Sequence, residues 1–545
     1  MTDGPVVLTA PVLRAWVAGA LGRLETHRAD LDALNVFPVA DSDTGTNLSL
    51  TLAEAAAAID ALPADASAAR VGVALARGAL VGARGNSGVI VSQYLGALLR
   101  HGGARPDGPA GALEAAADAA YAAVAQPVEG TVLTIGREVA LGARTAADAG
   151  VVDVTGLIAA GLAAGYAGLE RTPQMLATLH RAGVVDAGAL GLLLVLDALL
   201  VALGGATHDR ATAVLAAGAD RRAGSPVPRG GDPGAATPDA CGEGGEFEVM
   251  YLVTGRGTAA GTGAGAGDAH EAGVGAELSA ALSVWGQSVA VVGGEGLWQA
   301  HVHTDRPLDV LALQPPATTR CGQFRIRHLA TQAGVHGLHR RALGLVAVTG
   351  AVGLVPDLAR AGAVVVLVPP GDVVGPELGR AVDDTGAGYV LVLAVGDLPP
   401  TALPDGAGAL ARTGRAGVDV VAGLTEAQLV AGAATFTSLD PALGDAVLLG
   451  LVWDAVSRVR SVVVPGPLTG DGGDVGGQGQ GGAVLAAALD LLTGASGLLT
   501  VLTGARTAPG PVQVLVTGLA SARPEVDVVV LDGVLPGDGL VLGAE

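Results

Sequence analysis

The sequence contains no lysine, so every basic side chain apart from histidine is an arginine. Acidic residues outnumber basic ones, and the 545-residue chain has a formal net charge of −21. Surfaces that bind nucleic acid or an anionic membrane need clustered basic side chains, because these neutralise the phosphates. The composition therefore argues against both kinds of partner. It also requires any phosphate-binding site to use arginine side chains or backbone N–H groups.

Cysteines, aromatic residues and long apolar runs are also scarce. The two cysteines, Cys241 and Cys321, do not make a disulfide framework and suit a reducing cytoplasm. Aromatic residues make up 2% of the chain, so alanine, valine and leucine must fill the cores. The most apolar helix candidate, residues 190–203, is shorter than a membrane span and contains Asp197, which we interpret as a paired or edge-facing structural carboxylate. The N-terminus lacks the features of a signal peptide. We therefore expect a cytoplasmic protein without a transmembrane segment.

Glycine, in contrast, is abundant, with 86 residues, and its distribution helps to divide the chain. The length exceeds one ordinary core of about 100–200 residues, so several domains are expected. Apolar residues recur at helical spacing in the first part of the chain, and a segment rich in glycine and proline follows. The predicted domains are 1–204 (all-α, kinase-type), 205–245 (flexible linker), 246–340 (small α+β) and 341–545 (α/β).

Near-continuous apolar runs in the C-terminal part of the chain are typical of parallel strands that are buried on both faces. They are separated by helix-length segments, which predicts an α/β domain. The runs expected to form strands lie at 345–348, 363–368, 389–393, 418–421, 461–464, 512–516 and 526–531. A glycine-rich loop at 470–482 does not have the spacing of a dinucleotide fingerprint, so no nucleotide site is assigned to it.

Residues 34–47 concentrate ligands for a divalent metal in one turn. Asp41 and Asp43 lie two residues apart, so both carboxylates can point at one ion, and Asn35 can add a neutral oxygen. Mg²⁺ held by few carboxylates keeps coordination positions for phosphate oxygens. The alternative is an ordinary turn that caps a helix beginning near Asn47. Spacing alone leaves both interpretations open.

Residues 82–88 form a second candidate site, for an anion. Glycines let the backbone approach the anion closely, and Ser87 can bind it together with the N–H groups of the next helix. Arg84 can balance charge on a transferred phosphate. A simple turn with a surface arginine explains the same residues, so this segment is ambiguous by itself.

Four segments in order carry a family resemblance. They are Asn-Val-Phe-Pro-Val-Ala-Asp-Ser-Asp-Thr-Gly-Thr-Asn (35–47), Gly-Ala-Arg-Gly-Asn-Ser-Gly-Val-Ile (82–90), Glu-Gly-Thr-Val-Leu-Thr (129–134) and Ala-Gly-Val-Val-Asp-Ala-Gly (182–188). Together they resemble the DhaL (DAK2) domain, the ATP-binding part of dihydroxyacetone kinases, in the version found in the bacterial fatty acid kinase ATP-binding subunit. The resemblance implies Mg²⁺ ligation by Asp41, Asp43 and Asn35 and catalytic roles for Asp41, Asp43 and Arg84. It implies that the following residues line the ATP site: Thr44, Gly45, Thr46, Asn47, Asn86, Ser87, Gly88, Thr131, Thr134, Asp186 and Gly188. Without it, Thr131, Thr134 and Asp186 are equally consistent with helix capping.

The same resemblance implies a function and a fold. The function is that of an ATP-dependent kinase subunit that phosphorylates a fatty acid presented by a separate DegV-like binding protein. The fold is a helical DhaL-type bundle, a small α+β middle domain and a C-terminal α/β domain similar to DegV-type proteins. Two alternatives remain: glycerone (dihydroxyacetone) kinase activity, and a nucleotide-binding regulator or scaffold with weak or lost catalysis. The acceptor, the partner and the oligomeric state, including a homodimer, stay open.

The motif His-Val-His-Thr-Asp at 301–305 resembles the hallmark of the family's middle domain. Residues two apart on a strand face the same side, so His301 and His303 can converge on one metal. One group of relatives adds a cysteine from the first strand of this domain and binds zinc. Here Glu248 stands at the matching place, and Cys241 lies several residues earlier. The resemblance therefore implies a Zn²⁺ site completed by Glu248 or, alternatively, a site without metal.

Overall fold

The computed structural model of the protein describes residues 8–101, 108–206, 210–215, 245–255, 267–316, 319–331, 343–399, 417–440, 443–466, 468, 479–494 and 496–545. Cys241 and most of the predicted linker lie outside these residues. The chain forms two compact units. The first comprises Met1–Glu246, Leu252–Asp305 and Gln314–Cys321, and the second comprises Phe247–Tyr251, Arg306–Leu313 and Gly322–Glu545.

The N-terminal part of the first unit is built of helices, as the apolar spacing predicts. They are α1 (Ala10–Thr26), α2 (Arg28–Leu34), α3 (Thr44–Asp60), α4 (Ala68–Gly82), α5 (Gly85–His101), α6 (Gly108–Ala122), α7 (Val132–Asp148), α8 (Val154–Leu169), α9 (Thr172–Met175), α10 (Ala177–Ala182) and α11 (Ala187–Ala202). No helix in the described ranges combines the length and apolarity needed to cross a bilayer.

Helix α11 lies at the centre of this bundle. Every residue from Ala187 to Leu200 is buried, and α1, α7 and α8 pack around it. A helix that is apolar on all sides is stable only when other elements surround it. Its one charged residue, Asp197, lies 2.8 Å from Arg23 of α1. The expected interpretation of α11 as a buried helix with a paired carboxylate is therefore confirmed.

The middle region adds β1 (Phe247–Gly255), α12 (Gly267–Ser283), β2 (Gln287–Gly294) and β3 (Leu297–Thr304). Strands β2 and β3 form an antiparallel hairpin in which Ala290 pairs with His301. Backbone hydrogen bonds connect β2 to the chain that follows α6: Ala125 N–H donates to the Val289 carbonyl at 3.1 Å, and Val291 N–H donates to the Ala123 carbonyl at 3.2 Å. The hairpin is thus an integral part of the helical unit.

The second unit contains two groups of strands. The first group runs through α13 (Pro307–Leu311), β4 (Thr319–His328), β5 (Leu343–Thr349), α14 (Val355–Arg360), β6 (Ala363–Leu367), α15 (Glu377–Asp384), β7 (Tyr389–Val395), β8 (Gly417–Leu424) and α16 (Glu426–Ser438). Strand β5 pairs in parallel with β6 and β7, and β7 pairs in parallel with β8. Strand β4 pairs with β6 in the antiparallel direction. The predicted parallel, fully buried strands are present.

The second group forms a separate four-stranded sheet with the order β11-β10-β12-β9. Its elements are α17 (Asp445–Arg458), β9 (Arg460–Val464), α18 (Gln480–Leu491), β10 (Leu498–Gly504), α19 (Pro509–Ala522), β11 (Asp527–Leu535) and β12 (Leu540–Ala544). The predicted strand at 512–516 is wrong, because these residues lie in α19. Pro509 begins that helix, and Leu515 and Leu519, four residues apart, bury its inner face. Most of the predicted loop at 470–482 lies outside the described residues.

Candidate functional site

Four helices of the bundle begin around one place, and each begins in one of the four sequence motifs. These helices are α3, α5, α7 and α11. A methyl group built on Gly85 would lie 2.3 Å from the Asn47 side-chain nitrogen, and one on Gly188 would lie 3.6 Å from both Ser87 Oγ and Val132 Cβ. Helix N-termini present unpaired N–H groups and partial positive charge. The arrangement is therefore suited to binding an anion.

The Asp41–Asp43 turn lies between α2 and α3. Both carboxylates are buried, and the Asn35 side-chain nitrogen donates to Asp41 Oδ1 at 2.5 Å. Asp43 occupies the N-cap position of α3, yet its side chain accepts no capping hydrogen bond from the helix. Helix α3 begins at Thr44, three residues before the expected start. The interpretation of this turn as a simple helix cap is not supported, whereas Mg²⁺ ligation by these residues stays a prediction.

Asp32 is a third carboxylate that sequence reasoning missed. It accepts hydrogen bonds from Thr46 N–H at 2.9 Å and from Thr46 Oγ1 at 2.8 Å. Burial raises the pKa of Asp32 to about 6, against the lowering effect of these hydrogen bonds, and the nearby charge of Asp43 adds to the rise. Thr46, predicted to contact nucleotide, is committed to Asp32 in this structure. The partners are 14 residues apart, so no short motif identifies the pair.

The segment from Gly82 to Gly88 packs against α3. Arg84 is 1% exposed, so it is not a surface arginine. Its Nη1 donates to the Gly82 carbonyl at 2.5 Å, and its backbone N–H donates to Thr51 Oγ1 at 3.2 Å. Gly88 lies against the same hydroxyl, since a methyl group there would be 2.3 Å from Thr51 Oγ1. Arg84 thus fixes the loop from inside, and its role in balancing transferred charge stays a prediction.

Thr131 and Thr134 organise the start of α7. Thr131 is the N-cap residue, and its hydroxyl accepts a hydrogen bond from Leu133 N–H. Thr134 Oγ1 accepts from Gly130 N–H at 2.8 Å and donates to Glu129 at 2.5 Å. Both hydroxyls therefore serve the local backbone in this structure, while contact with a nucleotide stays a prediction.

Asp186 caps α11, the central helix. Its carboxylate accepts from Ala189 N–H at 2.7 Å, and its own N–H donates to Thr172 Oγ1 at 3.2 Å. Burial raises the pKa of Asp186 to about 6, although hydrogen bonds from the Ala189 and Val132 N–H groups oppose the rise. The start of α11 is therefore joined to the start of α7.

The remaining predicted ATP-site residues occupy the first turns of α3 and α5. Thr44, Gly45 and Asn47 are buried, whereas Asn86 and Ser87 are half-buried. A methyl group on Gly45 would lie 2.3 Å from the Arg28 carbonyl, so only glycine fits there without a shift. The structure thus gathers the predicted ATP-site residues around the same four helix starts.

The paired histidines lie on β3 with their ring centroids 4.9 Å apart, and both are buried. Glu248 of β1 joins them: one ligand atom from each of the three residues lies within 4.8 Å of the other two. Two imidazoles and one carboxylate are chemically suitable zinc ligands, but a structural zinc site uses four. Arg327 also forms an ion pair with Glu248, so a metal ion shares this carboxylate with a guanidinium. The set accommodates three-ligand binding, and zinc stays a prediction.

Comparison with known proteins gives two family matches. Residues 38–201 match the DAK2 domain, and residues 246–334 match the FakA-like middle domain of fatty acid kinase subunits. Protein YloV of Bacillus subtilis (strain 168) is 42% identical over 195 residues, which are 35% of this chain and 35% of the relative. Uncharacterized protein SH1689 of Staphylococcus haemolyticus (strain JCSC1435) is 37% identical over 189 residues, which are 34% of each chain. The match thus spans about a third of the length of these relatives. The resemblance is confirmed: the chain contains a DAK2 domain followed by a FakA-like middle domain of the fatty acid kinase family.

Proposed function

We propose that this protein is the ATP-binding subunit of a kinase that phosphorylates the carboxylate of a fatty acid. The observation that carries the proposal is the convergence of four helix N-termini on the Asp41–Asp43 turn within the DAK2 domain. Helix N-termini suit the phosphates of ATP, and paired carboxylates suit Mg²⁺. The match of the middle domain to fatty acid kinase subunits favours a fatty acid over glycerone as the acceptor.

Each predicted residue has a part in this reaction. Asp41 and Asp43 would hold Mg²⁺, which neutralises phosphate charge when bound. The N–H groups at the starts of α3 and α5 orient the phosphates, and Arg84 keeps the second of these starts in place through the Gly82 carbonyl. A carboxylate acceptor is already ionised, so no residue needs to remove a proton from it. Catalysis then consists of positioning and electrostatic stabilisation, as is general for phosphoryl transfer.

We propose further that the acceptor is presented by a separate DegV-like fatty-acid-binding protein in the cytoplasm. The middle domain supports this, because its family is described as a kinase subunit. The C-terminal region, with its parallel strands β5 to β8, is a candidate DegV-like domain. We also propose that His301, His303 and Glu248 bind Zn²⁺, for which their burial and proximity are the support.

Calorimetric titration with ATP tests the central proposal without knowledge of the acceptor. We expect binding by the wild-type protein with Mg²⁺ and none by the Asp41→Ala/Asp43→Ala variant. Circular dichroism controls for folding of the variant. A folded wild-type protein that does not bind MgATP would contradict the kinase proposal and favour the scaffold alternative. Equal binding by wild type and variant would remove the two aspartates from the site.

A further inference from the structure

A side chain from the hairpin of the middle domain reaches the phosphate-binding segment of the DAK2 domain. Gln299 lies on β3, is 1% exposed, and donates from Nε2 to the Ala83 carbonyl at 2.9 Å. Ala83 immediately precedes Arg84 and connects α4 to α5. The contact joins residues 216 positions apart, and neither family motif contains both of them.

The Ala83 carbonyl needs a partner from outside its own helix. Ala83 is the C-cap residue of α4, with φ −57° and ψ 137°, so the chain leaves the helical conformation there. A buried carbonyl without a hydrogen bond is costly, and Gln299 supplies the donor. On the other side of the same turn, Thr51 accepts from Arg84 N–H. Gln299 and Thr51 thus hold the turn from opposite sides, directly before the first N–H groups of α5.

The strand that carries Gln299 is itself fixed to the helical bundle. Gln299 pairs with Val292 of β2, and the neighbouring residue Val291 donates to the Ala123 carbonyl at 3.2 Å. The position of the amide therefore depends on backbone hydrogen bonds rather than on a flexible surface loop. A donor held this way can define the position of the turn that it contacts.

We propose that Gln299 is a positioning residue for the phosphate-binding turn, so that the middle domain completes the nucleotide site of the DAK2 domain. Its consequence for ATP rests on the proposed kinase function. The effect on the turn itself does not, because the hydrogen bond is present without nucleotide. Removal of the amide leaves the Ala83 carbonyl without its donor and releases the start of α5 from one of its two restraints.

The test compares Gln299→Met, which keeps side-chain length but removes the donor, with Gln287→Met, the same substitution at an exposed position of β2. Hydrogen exchange of the nucleotide-free proteins is measured first. Gln299→Met should speed exchange at Arg84 and Gly88, whose N–H groups bond to Thr51 Oγ1 and the Arg84 carbonyl. Unchanged exchange at these amides would overturn the proposal, whatever the ATP affinity.

MgATP affinity is measured next, at a temperature where both variants are folded. We expect Gln299→Met to weaken binding roughly five- to thirtyfold, the effect of losing one buried hydrogen bond, and Gln287→Met to leave it unchanged. Faster exchange with unchanged affinity would make Gln299 merely structural and overturn the positioning role. If the wild type does not bind MgATP, the kinase proposal fails, and exchange still decides whether Gln299 positions the turn.

Discussion

Replacing Asp186 by asparagine should stabilise the protein at neutral pH. The carboxylate is buried at the start of α11, and burial raises its pKa from 3.8 to about 6. Its ionised form at pH 7 is therefore less favourable in the folded protein than in the unfolded chain. Asparagine keeps an oxygen that can accept from Ala189 N–H and is as good an N-cap residue as aspartate, but it carries no charge.

The pKa difference sets both the size and the pH range of the effect. A rise from 3.8 to about 6 corresponds to ~3 kcal/mol of lost folding free energy once Asp186 is ionised in both states. Because the folded protein holds the proton more tightly, stability falls as pH rises from about 4 to about 6 and is level above that range. At pH 4.5 roughly a third of the cost remains. Asp186→Asn should therefore gain ~2 to 3 kcal/mol at pH 7.5 and ~1 kcal/mol at pH 4.5.

Urea unfolding followed by tryptophan fluorescence measures this difference. Trp16 is buried, and its indole N–H donates to the Val195 carbonyl of α11 at 2.9 Å, so it reports on the helix that Asp186 begins. The control is Asp153→Asn at the exposed N-cap of α8, where the carboxylate accepts from Gly156 N–H. Its effect should be small at both pH values. A loss of stability in Asp186→Asn at pH 7.5, or an equal gain at both pH values, would refute the reasoning.

Three other perturbations test separate parts of the structure. Arg23→Met leaves Asp197 buried without its partner and should cost about 3 kcal/mol in urea unfolding, whereas removing both charges should recover most of the loss; an unrecovered loss would contradict this account of the pair. Gly88→Ala places a methyl group 2.3 Å from a threonine hydroxyl and should cost about 2 kcal/mol and weaken MgATP binding, while Gly22→Ala, with open space around it in α1, should be neutral or stabilising. His303→Ala should reduce the zinc content, measured by atomic emission, to background; stoichiometric zinc in this variant would contradict the proposed metal site.

The sequence was sufficient to locate the helix starts of the site but not their supporting contacts. Each motif contains residues that begin helices, such as Thr131 and Asp186, and capping is a local interaction that a few neighbouring residues determine. The hydrogen bonds of Asp32 to Thr46 and of Gln299 to Ala83 join residues that are distant in sequence. Spacing contains no information about such pairs, because the packing of whole helices and strands brings them together.

The error at residues 512–516 has a different physical origin. The segment Val-Gln-Val-Leu-Val contains the β-branched residues that are typical of buried strands. Pro509 and the spacing of Leu515 and Leu519 are consistent with a helix instead, and the helix covers the sheet formed by β9 to β12. In the same region, the strands β10 and β12 are apolar and short, and the sequence pattern does not distinguish them from their surroundings. Short apolar runs fit a strand or a helix equally well, so only the tertiary contacts decide between them.

The absence of lysine and the burial of Arg84 together determine how this site can bind phosphate. The guanidinium of Arg84 is committed to the Gly82 carbonyl, so the described site relies on helix N-termini for positive charge. Four such ends amount to on the order of two elementary charges. Asp41 and Asp43 offset this charge, because both lie at the same helix starts. The protein alone is therefore close to neutral toward ATP, and Mg²⁺ bound to the aspartates is what makes the site attractive to phosphate. Strict dependence of ATP binding on the metal is thus a consequence of the charge balance, and it would not be expected of a site built on free lysines.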